Sequence, residues 1–149
     1  MSGVVGETVD APRDLDGLGE IVRRGGTALR RLMERIELHL ERVTAEAGPP
    51  LASHANATVA AGGKRLRPLL VVLAAESAGG PGPDDTGEER LVRAAVAVEL
   101  VHSATLVHDD LIDGAALRRG RPTVAATAGR PLAIATGDLL FSQIGRAHV

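Results

Sequence analysis

At 149 residues and a formal net charge of −2, the chain is long enough for at most one ordinary domain and has no basic excess of the kind that marks a nucleic-acid binder. It has no cysteine, which excludes disulfides, thiolate catalysis and zinc–thiolate sites. Phe141 is its one aromatic residue, so either Ala, Val and Leu build the core through close helix packing or the chain is not a complete folding unit.

Met1 to Pro12 contains Gly, Pro and Ser without periodicity and predicts a mobile tail. Its start lacks the basic residues and apolar stretch of a secretory signal. A long helical pattern runs from about Leu15 to Glu46, with Leu29, Leu32, Ile36 and Leu40 on one apolar face. Gly25-Gly26 weakens that helix near its start, and Gly48-Pro49-Pro50 ends it. A short Ala-rich helix follows over roughly Leu51 to Ala61 and stops at Gly62-Gly63. Pro68 suits the first turn of the next helix, Leu69 to Ala78, which is apolar nearly all round and should be buried. After a Gly/Pro/Asp loop, Thr86-Gly87-Glu88-Glu89 has the form of a capping box and opens a helix to about Asp113. Ala116 to Gly129 reads as a basic connection, and a last helix begins near Pro131 and runs through Leu140. No β-alternation is visible, so the expected class is all-α. No run of about 18 apolar residues predicts a membrane span, and the expected location is the cytoplasm.

Sixteen of the seventeen basic residues are Arg, and the one lysine, Lys64, lies in Gly62-Gly63-Lys64-Arg65-Leu66-Arg67-Pro68. A compact ammonium and a planar guanidinium are not interchangeable, so a lone Lys in such a chain points to a specific role. Leu91, Ala95, Val98, His102, Thr105 and Asp109 form one stripe on the long helix, and Asp113 extends it by a turn. Asp109 and Asp113, at i and i+4, place two like charges on one face, where they repel unless a cation lies between them. Together with Asp110 they also sit at a helix C-terminus, which disfavours acids. A solvated acidic end paired with Arg118, Arg119 and Arg121 is the plainer alternative. Taken singly, His102 reads as a boundary histidine, Arg118-Arg119-Gly120 as a solvated basic loop, and Gly62 to Arg65 equally well as a turn or a site. Taken together, clusters of matched sign point to a site for a metal-bound phosphate ester, with carboxylates for a hard cation and basic groups for phosphate.

These motifs resemble the trans-polyprenyl diphosphate synthases. Gly62 to Pro68 matches GGKRxRP, Val98 to Asp113 the first aspartate-rich helix with DDxxD, Arg118 to Thr123 the RRGxPT that follows, and Ala135 to Phe141 the xxGDxLF helix. The resemblance covers about Leu32 to Ser142. It implies an antiparallel bundle of helices around a central cavity, a homodimer at full length, and Mg²⁺-dependent condensation of isopentenyl diphosphate with an allylic diphosphate. By position, Asp109 and Asp113 would ligate Mg²⁺ with Asp110 in support, and Arg118 would contact the allylic diphosphate. Lys64, Arg67, His102 and Arg119 would hold the isopentenyl diphosphate. In this family a bulky aromatic four or five residues before the first Asp stops elongation; Ala104 and Thr105 are small here, which implies a medium- or long-chain product.

The family also carries a second aspartate-rich motif far downstream, and none occurs in these 149 residues. The resemblance therefore implies residues 13–143 as the first half of a synthase domain, inactive alone. Ile144 to Val149 is what ATC GGA AGA GCA CAC GTC encodes, a common short-read adapter string, so residues 144–149 are expected to be foreign. Two other functions fit less of the chain. One is a non-catalytic partner subunit, which has no need of DDxxD and Lys64. The other is a His-Asp type metal phosphohydrolase, suggested by His102 and His108-Asp109. That reading leaves Gly62 to Pro68 without a role and wants earlier ligands, where only His39 and His54 occur.

Overall fold

The computed structural model describes residues 17–82 and 85–147, so the predicted tail and the last two residues of the predicted foreign segment lie outside it. Seven helices and one two-stranded hairpin make up the described residues, in the order α1 Gly17–Arg24, α2 Gly26–Ala45, α3 Leu51–Ala61, α4 Leu66–Ser77, α5 Asp85–Ile112, β1 Leu117–Arg118, β2 Arg121–Pro122, α6 Val124–Ala128 and α7 Arg130–Ala147. The class is all-α, as the periodicity predicts.

The first helical pattern breaks where the glycine pair stands, because Gly26 takes φ 76, outside the helical region. α2 then buries Leu29, Leu32, Ile36 and Leu40, the predicted face, and continues it to Val43. Ile36 and Leu40 are fully buried, each worth about 1.5–3 kcal/mol relative to exposure. Thr44 joins α2 to α3 by a hydroxyl contact with the Asn56 side-chain oxygen.

α5 is the axis of the fold and packs on α2, α3, α4 and α7. It buries Val92, Val96, Leu100, Ala104, Val107 and Leu111 at helical spacing. Its segment Thr86–Ile112 is long and apolar enough to cross a membrane, which the count of uninterrupted apolar residues misses. Yet 56% of that window is buried inside the fold, as in a core helix.

Two expectations need correction. α4 starts at Leu66, three residues early, and is not buried all round: Pro68, Leu69 and Val72 face the core while Leu70 is 54% exposed. The connection after α5 holds a β-hairpin and the short helix α6 rather than irregular chain. Its strands pair Leu117 with Pro122 and Arg118 with Arg121. Arg119 (φ 52) and Gly120 (φ 77) are both left-handed, the requirement of a two-residue type I′ turn. Thr123 then caps α6, accepting from the Ala126 N–H at 3.2 Å and donating to the Ala115 carbonyl at 2.8 Å. The hairpin is thereby pinned beside the end of α5.

Candidate functional site

The last turn of α5 sorts the three acids by direction. A helical bond from the Asp113 N–H to the Asp109 carbonyl (2.8 Å) stacks those residues on one face, and both are exposed. Asp110, one residue on and about 100° round the helix, is 7% exposed. Arg118 on β1 meets it: Nε donates to both carboxylate oxygens at 2.8 and 2.9 Å, and Nη2 lies 2.8 Å from Oδ1. That charge-assisted fork compensates the burial of the carboxylate. The hydrogen bond to Asp110 raises the Arg118 pKa, and Asp109 and Asp113 add attraction.

The second arginine of the hairpin reaches the glycine turn. Arg119 Nη1 donates to the carbonyls of Ala61 and Gly62, both at 3.3 Å. Gly63 permits this approach, since a Cβ there would stand 2.8 Å from Arg119 Nη1, and its φ is 78. His102 sits half-buried one element away. Burial lowers its pKa, and the charges of Arg67, Arg119 and Arg118 lower it further. Three guanidinium groups from two motifs thus act on one imidazole, and an anion entering there would relieve their repulsion. Lys64 and Arg67 are exposed.

Arg65 behaves differently from its neighbours. Its backbone is left-handed (φ 51) and its side chain is 11% exposed. Nε and Nη2 donate to Glu37 on α2 at 2.5 and 3.0 Å. Nη1 donates to the Val59 carbonyl at 2.7 Å and to Glu99 Oε1 on α5 at 3.3 Å. Burial works against the Arg65 charge, but Glu37 and Glu99 outweigh it and raise its pKa. Burial pushes the Glu99 carboxyl up, with Arg65 and Arg67 pulling the other way. Glu99 Oε2 is buried and meets no hydrogen-bond partner among the described residues.

Among the predicted site residues, the fold brings Arg67, Arg118 and Arg119 within electrostatic reach of His102. It sets Asp109 and Asp113 around Arg118. The two chain-length positions separate: Ala104 is fully buried, while Thr105 is exposed and donates to the Val101 carbonyl at 2.8 Å. A cavity of about 560 Å³ lies beside this group, between α3, α5 and the hairpin, with Thr58, Ala61, Val107, Arg118, Arg119 and Arg121 on its wall. Asp109, Asp113, Lys64, Arg67 and His102 do not line it.

Among the described residues no three His, Asp or Glu side chains converge on a point that could hold a metal, because Asp110 is turned away to Arg118. Asp109 and Asp113 alone still fit Mg²⁺, which is held through one or two carboxylates and takes its other oxygens from water and phosphate. Sequence reasoning missed the network that joins Arg65 to Glu37 and Glu99 and the His108–Asp138 pair (Nε2 to Oδ1, 3.4 Å). A single Glu99 within the apolar run Val98-Glu99-Leu100-Val101 is the signal that could have found one of them.

Residues 49–148 match the sequence profile of the polyprenyl synthetase family. Over 108 residues the chain is 47% identical to heptaprenyl diphosphate synthase component 2 of Geobacillus stearothermophilus, covering 72% of this chain and 32% of that protein. Over 83 residues it is 49% identical to the geranylgeranyl diphosphate synthase of Saccharolobus solfataricus, covering 56% and 23%. Its fold superposes on the decaprenyl diphosphate synthase of Rhodobacter capsulatus with a TM-score of 0.74 and 31% identity, covering 87% of this chain and 37% of that one. For the geranylgeranyl pyrophosphate synthetase of Pyrococcus horikoshii the TM-score is 0.69 at 34% identity, with 90% and 37% covered. The chain spans about a third or less of the length of these curated relatives. With the family profile, the sequence relatives and the fold in agreement, the chain belongs to the polyprenyl synthetase family.

Proposed function

We propose that the chain supplies the substrate-gripping half of a prenyltransferase that joins isopentenyl diphosphate head-to-tail to an allylic diphosphate in the cytoplasm. The C–O bond of the allylic diphosphate breaks and pyrophosphate leaves. The alkene of isopentenyl diphosphate forms the new C–C bond, and a proton is lost. The observation that carries this reading is the junction made by Arg119, which ties the Arg118–Arg121 hairpin to the Gly62–Arg67 turn directly beside the acidic end of α5. Two basic motifs far apart in sequence meet there, and Arg118 of the second is drawn by the charges of Asp109 and Asp113.

In this reading Lys64, Arg67, His102 and Arg119 bind the diphosphate of isopentenyl diphosphate, and Arg118 faces the allylic diphosphate. Asp109 and Asp113 would hold Mg²⁺, which supplies positive charge against the leaving pyrophosphate. Fixed cations placed where charge develops stabilise the transition state most. The resemblance to the family, with Ala104 and Thr105 both small, supports a medium- or long-chain product. At family length the protein is proposed to be a homodimer.

The test is a product assay on the family-length protein with Mg²⁺, isopentenyl diphosphate and an allylic diphosphate. The proposal expects pyrophosphate and a lengthened prenyl chain, whereas phosphate released from a nucleotide, with no prenyl product, contradicts it. A second reading, a partner subunit of a prenyl synthase, is favoured by one observation: a relative at 47% identity is named as a component of a heptaprenyl diphosphate synthase. Activity that appears only on mixing with another subunit would select it.

A further inference from the structure

Arg65 lies inside the GGKR turn yet points away from solvent, into three helices. Glu37 reaches it from α2, the Val59 carbonyl from α3 and Glu99 from α5. Two carboxylates offset its charge, so it adds little attraction for an anion. Its left-handed backbone is one that residues with a Cβ rarely adopt, and such conformations persist only when the surroundings hold them. Gly62 makes room for this arrangement: a Cβ there would stand 2.8 Å from Arg65 Nη1, 2.9 Å from the Val59 oxygen and 3.0 Å from Glu99 Oε1. Glu99 is one helical turn before His102, on the same face of α5. The guanidinium therefore connects the turn carrying Lys64, which leads into α4 with Arg67, to the helix carrying His102.

The geometry points to Arg65 as a positioning residue: its bonds to Glu37, Val59 and Glu99 lock the Gly62–Arg67 turn against α5, so that Lys64, Arg67 and His102 act on one diphosphate. This rests on the diphosphate reading above. It differs from a substrate-contact role, in which Arg65 would serve better once released from its carboxylates.

Glu37→Gln separates the two. The Glu37 side chain is 39% exposed on a surface helix, so the change keeps the helix and removes a charged partner of Arg65. Two readouts are taken on the chain as it stands: tryptic cleavage after Lys64 and Arg65 relative to cleavage after Arg24, and calorimetric affinity for inorganic diphosphate with Mg²⁺. Losing one of the two acceptors and the negative charge should speed cleavage in the turn about tenfold and weaken diphosphate binding by a similar factor. The loss of binding would occur although the variant is less negative, a change that by Coulomb attraction alone tightens anion binding. Arg65→Lys should behave alike, since an ammonium cannot bridge as a fork does. Unchanged cleavage, equal or tighter diphosphate binding, or loss of the helical circular-dichroism signal in Glu37→Gln would each overturn the inference. If the unaltered chain binds no diphosphate while cleavage still accelerates in the variant, the lock stands and the functional reading fails.

Discussion

Arg118 holds Asp110 through two nitrogens, with Nε 2.8 and 2.9 Å from the carboxylate oxygens and Nη2 2.8 Å from Oδ1. The middle acid of the aspartate run is thereby a structural anchor for the hairpin, and the outer two stay exposed. Arg118→Ala strands a buried carboxylate, which costs about 1–3 kcal/mol. The urea midpoint should fall accordingly, and Arg118→Lys should recover only part of the loss. An unaltered midpoint in Arg118→Ala would show that the fork contributes nothing.

Asp109 and Asp113 carry the opposite expectation. They are exposed like charges one turn apart at the unfavourable end of a helix dipole. Asp109→Asn and Asp113→Asn should each stabilise the metal-free chain by about a few tenths of a kcal/mol. In the family-length enzyme the same changes should lower kcat by about a hundredfold or more. Paired thermal melts and steady-state kinetics check both halves, and a variant that loses stability and keeps turnover contradicts the assignment.

The pH dependence of stability follows from His102. Its folded pKa is lowered by burial and by Arg67, Arg119 and Arg118. The unfolded chain therefore binds protons first as pH falls. Stability is full above the ordinary histidine value of about 6.5 and drains as pH drops through it. His39, lowered by burial and by Arg42 and Arg93, has the same sign. Denaturant melts from pH 7 downward should show a slope that flattens in His102→Gln and, separately, in His39→Gln. If added diphosphate binds beside His102, binding should take up protons in this range, seen as a buffer-dependent heat.

Gly137 is buried under the His108 ring, where a Cβ would collide with the imidazole. That ring also packs on Phe141 at a centroid distance of 5.7 Å and faces Asp138. Gly137→Ala should destabilise by about 1–3 kcal/mol, the usual cost of overpacking, and shift the residue just before Asp109. A lowered melting temperature together with weaker Mg²⁺-dependent diphosphate binding is the expected pair of results; neither change would mean α7 does not support the site.

Much of this was legible in the sequence because local chemistry decides it. The Leu29–Leu32–Ile36–Leu40 face, the break at Gly25-Gly26, and α3 between Pro50 and Gly62 follow from period and breakers. The order of the four motifs pointed to the family. The hairpin was not legible, since Arg119 adopts a left-handed turn position that Asn or Asp usually fills, and the strands are two residues long. Nor was the burial of Asp110, which depends on where Arg118 returns after the turn. Leu70 was expected inside because composition alone does not say which face of α4 meets α5. Arg65 looked like one more cation in a basic motif, and only three-dimensional packing shows it enclosed by Glu37, Val59 and Glu99.

The central claim is that the Gly62–Arg67 turn, the hairpin and the end of α5 together grip a diphosphate. The most direct measurement is calorimetric titration of isopentenyl diphosphate into the chain with Mg²⁺, repeated for Lys64→Gln and Arg67→Gln. The account predicts saturable binding that weakens at least about tenfold in each variant, the scale of one lost charge-assisted contact. Absence of binding, or binding by both variants as tight as by the unaltered chain, would contradict it.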